Sequence, residues 1–294
     1  MLYILETALR LGLFYAPIPL ALFLSYRILN IADLTTDGSF VLGMAVSVSI
    51  AALGHPFLGM LLGMAAGALA GSVTALLQTR GGVPSILAGI ITNTGLYTVN
   101  LAVMGFSSNK SLLKQETVFS LLKKLIPGEH YEILIGLFLI ALLCLFLRFF
   151  LSTRLGLSLR ATGDNIAMIR SSSVDPDRMI LIGLCISNSF TALAGALVAQ
   201  MQRSADINAG SGIVTVGLAC LIIGETLLGK RSLTRNILAA VTGSLFYRLL
   251  YALILKTRVV PVECLRLLTA VIVAAAIVIP YLQEQAAVRR RREC

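Results

Sequence analysis

The chain has 294 residues, of which 57% are hydrophobic and only 13% are charged, and its mean hydropathy is +0.89. Soluble domains contain roughly 45–50% apolar and about 25% charged residues, so this composition excludes a disordered chain, a nucleic-acid-binding domain and most soluble enzymes. The net charge of +10 is first a topology signal, because Lys and Arg are retained on the cytoplasmic side of a membrane. The composition therefore predicts a polytopic membrane protein.

Long apolar runs along the chain predict an all-α membrane helix bundle. A span needs about 20 mostly apolar residues, because a helix of that length covers roughly 30 Å of hydrocarbon. We predict about nine spans, within a range of eight to ten, in a single transmembrane domain that extends over 1–294. The predicted spans are 7–28, 33–53, 57–79, 86–106, 131–151, 179–201, 213–229, 236–254 and 266–283.

Polar residues interrupt some of these spans and are candidates for a solute pathway. The second span opens with Thr36 and Asp37 among its first residues, so it could be a broken or half-buried helix. Asp37 either caps this helix, since a carboxylate accepts the free N–H groups of a helix N-terminus, or binds solute. Asn93 and Asn188 lie inside the fourth and sixth spans, where they either form hydrogen bonds between helices or line the pathway.

Small residues recur at every fourth position in two spans, which gives each helix one nearly smooth face. The spacing favours a tight bundle within the chain, because close backbone contact drives helix association in lipid. A dimer interface or a sliding surface is the alternative. The residues are Gly59, Gly63, Gly67, Gly71, Ala75 and Thr79 in the third span, and Gly183, Ser187, Thr191, Gly195 and Ala199 in the sixth.

Arginine-rich segments predict the orientation of the bundle. The segment 152–178 carries four arginines and the tail 284–294 carries four more, so both are placed in the cytoplasm. The tail is interpreted as an anchor near anionic membrane lipid. With nine spans, this arrangement puts the amino terminus outside.

Residue patterns of enzymes are missing from the sequence. It contains no H-E-x-x-H, G-x-S-x-G or dinucleotide fingerprint, and its five cysteines are scattered singly, so we predict neither an enzyme nor a metal site. It also lacks the G-x-x-x-x-G-K-[ST] loop that binds nucleotide phosphates, so we expect the chain to bind no cofactor of its own. Active transport would need either an ion gradient or a separate ATPase.

The segment 152–178 is the most informative loop. Gly163 is expected to break the preceding structure, and Asp164 or Asn165 to cap a short helix that continues to Arg170. Ile166, Met168 and Ile169 would then be available to insert into a groove. A connecting helix on the lipid surface is the alternative interpretation.

At this loop the chain resembles the permease subunit of a bacterial ATP-binding cassette importer, in the branched-chain amino acid and ribose-type permease superfamily. It is most similar to the subgroup linked to tryptophan, tyrosine or uncharacterised solutes. The matching segments are 32–43, 154–170, 182–188, 192–200 and 217–225.

The resemblance implies a mechanism and partners. Two permease copies, as a homodimer, would form the pathway in the bacterial cytoplasmic membrane, and a binding protein outside would deliver a small polar solute such as an amino acid. A cytoplasmic ATPase dimer, which binds ATP and Mg, would dock on the short helix. Coupling then falls on Gly163, Asp164, Asn165, Ile166, Met168 and Arg170, and the candidate pathway residues are Thr36, Asp37, Asn93 and Asn188.

A gradient-driven secondary transporter is the alternative function. It would need buried carboxylates that form an ion relay. Glu225 and the pair Asp33 and Asp37 are the candidates, and Glu225 could instead snorkel or pair with Lys230 near the inner face.

Overall fold

The fold is an all-α bundle, as the long apolar runs predict, and it also contains one small two-stranded sheet that was not predicted. A computed structural model describes residues 2–113, 115–125, 130–172, 174–229 and 232–257, together with the isolated positions 271, 274 and 278. The helices are α1 (Leu2–Tyr15), α2 (Pro17–Leu22), α3 (Thr36–Ala51), α4 (Pro56–Thr79), α5 (Ser85–Val103), α6 (Val118–Leu125), α7 (Tyr131–Ser152), α8 (Arg154–Asp164), α9 (Ile166–Ser171), α10 (Pro176–Gln202), α11 (Ile213–Leu228) and α12 (Leu233–Thr257). A π-helical turn, Phe23–Ile28, continues α2, and a 3₁₀ turn, Ile207–Gly210, precedes α11.

Seven helical segments among the described residues are long and apolar enough to cross a membrane. They correspond to seven of the nine predicted spans. The second predicted span, 33–53, is shorter than predicted, because its helix begins only at Thr36 and ends at Ala51. The ninth, 266–283, lies outside the described residues apart from positions 271, 274 and 278, and the tail 284–294 lies wholly outside them.

Two groups of elements define opposite ends of the bundle. At one end, which we name the β end, Asn109–Ser111 (β1) pairs antiparallel with Ser204–Asp206 (β2). The α6 segment is tied to the same end, since the Val118 N–H donates to Oε1 of Gln200 at 3.2 Å. At the other end, the loop end, α8 and α9 connect α7 to α10.

The first crossing runs from the β end to the loop end. At its start, Arg10 lies 2.7 Å from a carboxylate oxygen of Glu132, and Nδ1 of His130 lies 3.0 Å from Glu6. Pro17 and Pro19 lie in the first turn of α2, where a missing N–H costs no helical hydrogen bond. The crossing ends in the π-helical turn, whose last residue, Ile28, contacts α8.

The small-residue faces pack within the chain. A Cβ on Gly67 of α4 would overlap Cβ of Ala192 in α10 and lie 2.5 Å from the carbonyl oxygen of Asn188. A Cβ on Gly43 of α3 would overlap the Ala192 carbonyl oxygen, and one on Gly195 would overlap the Phe40 carbonyl oxygen. Helices α3, α4 and α10 therefore form the tight intrachain bundle, and these glycines are not available as a dimer interface.

Candidate functional site

The amino-terminal ends of two short helices face each other inside the bundle. Helices α3 and α11 have 16 residues each, about 24 Å at 1.5 Å per residue, whereas α4 has 24 residues. A Cβ on Gly38, in the first turn of α3, would lie 2.5 Å from Oδ1 of Asn93, near the middle of α5. Thus α3 begins about halfway along a spanning helix. Discontinuous helices of this kind commonly form solute sites in transporters.

Asp37 joins the two helix ends. Its carboxylate accepts the Val214 N–H at 2.8 Å and the Gly212 N–H at 3.2 Å, so it caps α11. The prediction that Asp37 caps its own helix is wrong, because it lies in the first turn of α3 and its side chain extends to the free N–H groups of the neighbouring helix. At the start of α3 the carboxylate that accepts a backbone N–H is Asp33: its Oδ1 accepts the Thr35 N–H at 2.9 Å, one residue before the helix begins.

Asn188 lies in a buried hydrogen-bond network beside these ends. Its Nδ2 donates to Oδ2 of Asp33 at 2.6 Å, and its Oδ1 accepts the Ser39 hydroxyl at 2.7 Å. Of the two interpretations of Asn188, the structure shows hydrogen bonding between helices. Thr36 is buried as well, and its hydroxyl donates to the Asp33 carbonyl oxygen at 3.1 Å.

A polar cavity of about 400 Å³ lies between α3, α5 and the segment that leads into α11. Two of the four predicted pathway residues, Asp37 and Asn93, line it, whereas Thr36 and Asn188 do not. The other lining residues are Gly38, Val41, Thr94, Tyr97, Asn100, Ile207, Asn208, Gly210 and Ser211. Sequence reasoning missed Asn100, although it follows Asn93 by two helical turns and therefore shares its face.

The charge distribution in the cavity is one-sided. Asp37 is acidic, and none of the described residues that line the cavity is basic. Asn100 is 1% exposed, and its Nδ2 donates to the Gly38 carbonyl oxygen at 3.1 Å. Its Oδ1 has no hydrogen-bond partner in the described part of the chain. The cavity therefore presents amide, hydroxyl and carboxylate groups to a solute, and its described lining carries no positive side chain.

A second cavity, of about 730 Å³, has different chemistry. It lies between α4, α7 and α10, and its lining is almost wholly apolar, including Leu142, Phe146 and Phe190. Such a surface suits lipid chains better than a polar solute. Across the described ranges, no three His, Cys, Asp or Glu side chains cluster as metal ligands would.

At the loop end, the helix break differs from the prediction. Gly163 lies inside the last turn of α8 and does not break it; a Cβ there would overlap the carbonyl oxygen of Ile28. The break falls at Asn165, whose side chain accepts the Met168 N–H at 3.1 Å and caps α9. The glycine is therefore explained by close packing against the π-helical turn.

The side chains of α9 divide into two groups. Ile166 and Met168 are exposed, as a docking role requires, and Arg170 is exposed as well. Ile169 is buried within the chain, so it is not available to insert into a groove on another protein. Asp164 is exposed at the end of α8.

An ion pair connects the π-helical turn to α11. Nε of Arg27 donates to Oε1 of Glu225 at 2.7 Å, and Nη2 bonds the second carboxylate oxygen. Glu225 is buried, and Arg27 forms an ion pair with it. Lys230 lies outside the described residues. Because Ile28 contacts Gly163, the loop end touches the same short turn that is paired with Glu225 near the carboxyl-terminal end of α11.

A bundle of membrane-spanning helices with a polar cavity beside the facing amino-terminal ends of two short helices is an arrangement that transporters use. The chain belongs to the family described as the permease component of the branched-chain amino acid transport system, which it matches over residues 4–279. The resemblance found in the sequence is thereby confirmed: the chain is the permease component of an ATP-binding cassette transport system and an integral inner-membrane protein.

Curated relatives are transport permeases or uncharacterised. A tyrosine transport system permease protein of Clostridioides difficile (strain R20291) is 32% identical over 87% of this chain and 84% of its own length. An uncharacterised protein of Rickettsia prowazekii (strain Madrid E) is 35% identical over 88% of this chain and 92% of its own. An autoinducer 2 import system permease protein of Photorhabdus laumondii is 27% identical over 70% of this chain and 59% of its own length. No solved structure gives a significant match.

Proposed function

We propose that this chain is the membrane subunit of an importer that moves a small polar solute, in the amino acid class, across the bacterial cytoplasmic membrane. The polar cavity between α3, α5 and the segment that leads into α11 carries this proposal, since it brings together polar side chains from three parts of the chain. The tyrosine transport permease among the relatives supports the amino acid class. The solute would enter from a binding protein at the β end, and the pathway would be completed by a second copy of the chain.

ATP hydrolysis by a separate cytoplasmic ATPase dimer, with its Mg, would drive the change of access. The exposed residues of α9 would contact the ATPase, and α8 would transmit its movement through Gly163 to the π-helical turn. Arg27 would pass that movement to Glu225 near the carboxyl-terminal end of α11, and the segment that leads into the other end of α11 lines the cavity. A helix that is held by an ion pair at one end and joined to the site at the other can move as a rigid element.

Uptake measurements test this proposal against the gradient-driven alternative. In proteoliposomes that contain the chain with its ATPase and binding protein, we expect uptake of labelled L-tyrosine to require internal ATP and to survive ionophores. Uptake that continues without ATP and stops with the ionophores would contradict the proposal. The structure also disfavours an ion relay, because the carboxylates that would form it, Asp33, Asp37 and Glu225, each already have a hydrogen-bond partner.

Coupling through Gly163 has its own test. Gly163→Leu should leave ATP hydrolysis in place but lower solute moved per ATP, on the order of tenfold, because α8 can no longer approach Ile28. Leu157→Ala, an exposed position on the same helix, is the matched control and should retain normal coupling. Normal transport by Gly163→Leu would contradict the coupling role.

A further inference from the structure

Arg248 is a charged side chain at membrane depth that the coupling and cavity residues described above do not involve. Its guanidinium carbon, Cζ, lies 3.6 Å from the ring centroid of Tyr15, which is near the middle of the 24-residue span Leu5–Ile28. A guanidinium over an aromatic ring is a cation–π contact, and it holds the cation in place. Arginines inside spans are costly, face a cavity or a partner, and commonly mark the pathway of a solute or ion.

The Arg248 side chain does not extend to the nearer membrane surface. Helix α12 begins shortly after α11, which is paired with Arg27 near the loop end, so α12 runs back towards the β end, antiparallel to α1. The span of α12 ends at Ile254, soon after Arg248. Side chains incline towards the amino terminus of their own helix, so Arg248 extends away from that end and meets Tyr15 at mid-span. Arg248 is therefore not a residue that snorkels to the surface.

The edge of the guanidinium has no counter-charge in the described part of the chain. Arg248 takes part in none of the ion pairs or side-chain hydrogen bonds among those residues. The residue is partly exposed, and none of its side-chain nitrogens is enclosed by protein. Because the ring of Tyr15 covers a face of the guanidinium, the N–H groups around the edge are open to a ligand, and this edge matches the two oxygens of a carboxylate.

The depth of Arg248 decides where such a carboxylate comes from. Lipid phosphates lie at the membrane surfaces, roughly 15 Å from the middle of the hydrocarbon. A second copy of the chain offers no free carboxylate at this depth among its described residues, since Asp33, Asp37 and Glu225 each accept hydrogen bonds within their own chain. A solute of the amino acid class carries the required group.

We propose that Arg248 binds the carboxylate of the solute on the edge of its guanidinium, while Tyr15 holds the face. The site is separate from the polar cavity, whose described lining does not include Arg248. The proposal deepens the function proposed above and rests on it for the presence of a solute. It names the group that the solute must carry, an ionised carboxylate, and assigns its recognition to the permease in addition to any binding protein.

Ligand-induced stabilisation of the purified full chain tests this without any transport step. Thermal unfolding would be followed with L-tyrosine and L-leucine, and with L-tyrosinamide and L-leucinamide at the same millimolar concentration. Each amide replaces the carboxylate by a neutral group of similar size. Ligands that bind only the folded state raise the unfolding midpoint according to their occupancy. We expect at least one of the two acids to raise it and the corresponding amide to leave it unchanged.

Variants of Arg248 separate recognition from structure. Arg248→Gln should weaken binding of the acid by about tenfold or more and remove its advantage over the amide, because charged hydrogen bonds are lost. Arg248→Lys should keep the preference for the acid but bind it more weakly, because the charge remains without the planar fork. Arg235→Gln, at an exposed position in the first turn of the same helix, is the matched control and should bind as the unaltered chain does.

A purely structural role for Arg248 has a different signature. Stacking on Tyr15 alone would make Arg248→Gln lower the unfolding midpoint without ligand, while the difference between acid and amide stayed intact. That result would contradict the carboxylate site. Loss of a dimer in Arg248→Gln, with the same difference intact, would contradict it as well and would identify the second copy as the partner.

The outcomes are distinct from those of the uptake experiment. If the amides stabilise the unaltered chain as much as the acids, or if neither acid stabilises it, the carboxylate site is wrong even when ATP-driven uptake is observed. If the acid is bound through Arg248 while uptake does not depend on ATP, the site stands and the proposed importer function fails. The ligand pairs use the unaltered chain, so the site is tested even where an Arg248 variant does not fold.

Discussion

Helix α3 has two unlike sides, and the difference separates scaffold from site. Towards α10 it packs backbone against backbone, with Gly43 at the Ala192 carbonyl oxygen and Gly195 at the Phe40 carbonyl oxygen. Towards α5 it borders a polar cavity that Asp37, Asn93 and Asn100 line. Close-packed interfaces tolerate little change, whereas cavity linings are free to respond to a solute. The α10 side therefore holds α3 in place while the α5 side provides the chemistry.

Two asparagines contact α3 from opposite sides, and the largest expected loss of stability is for the substitution of one of them, Asn188. Asn188→Ala leaves a buried carboxylate oxygen of Asp33 and the Ser39 hydroxyl without their partner, so it should lower the free energy of unfolding by about 3 kcal/mol. Asn93→Ala, on the cavity side, should change it by less than about 1 kcal/mol. Thermal or denaturant unfolding of the purified variants measures both. Equal losses would contradict the division of α3 into two sides.

A single methyl group on a glycine tests the same division more finely. Gly43→Ala should destabilise the protein by about 1–3 kcal/mol, because the new Cβ overlaps a backbone oxygen that cannot rotate away. Gly95→Ala on α5 is matched to it, since no described atom lies within 4 Å of a Cβ at that position. We expect Gly95→Ala to be neutral or stabilising by up to about 1 kcal/mol, owing to helix propensity. A neutral Gly43→Ala in the same unfolding assay would show that the interface can adjust.

The ion pair near the carboxyl-terminal end of α11 extends the comparison beyond α3. Arg27→Gln should destabilise by about 2 kcal/mol, because Glu225 is buried and loses its charged partner. The double variant Arg27→Gln with Glu225→Gln should lose less than the sum of the two single variants, since both charges of the ion pair are then removed together. A double-mutant cycle from unfolding curves measures this coupling. Strict additivity would mean that the pair does not hold α11.

The smallest effect is expected at the start of α9. Asn165→Ala removes the side-chain cap and should cost about 1 kcal/mol, felt as faster amide exchange at 166–171. Asp164→Ala, the preceding position, should leave that exchange almost unchanged because its side chain is not the cap. Hydrogen-exchange mass spectrometry resolves the two. Faster exchange in Asp164→Ala than in Asn165→Ala would show that Asp164 is the cap of α9.

Several features were predictable because they depend on local composition or spacing. Hydropathy predicted seven of the spans that the structure shows, and the four-residue spacing of small residues predicted close helix packing. The polar positions Asp37 and Asn93 were recognised as candidates because charges and amides are costly in hydrocarbon. Asn100 was not predicted, although it follows Asn93 by two helical turns and therefore lies on the same face of α5.

Partners, by contrast, were not predictable. Asp37 accepts hydrogen bonds from residues 175 and 177 positions away, and Arg27 pairs with a residue 198 positions away. No periodicity relates such positions, since they are brought together only when the helices pack. Gly163 shows the same limit: its residue type suggested a break, whereas the approach of Ile28 explains it.

The sequence by itself determined that this chain is a membrane helix bundle, because hydropathy is a property of each segment alone, and its motif segments carried the resemblance to a permease. Only the tertiary structure decided which helix end Asp37 caps and where the polar cavity lies. The physical reason is that a buried polar group must find a partner wherever packing places one, and that partner is set by the whole bundle.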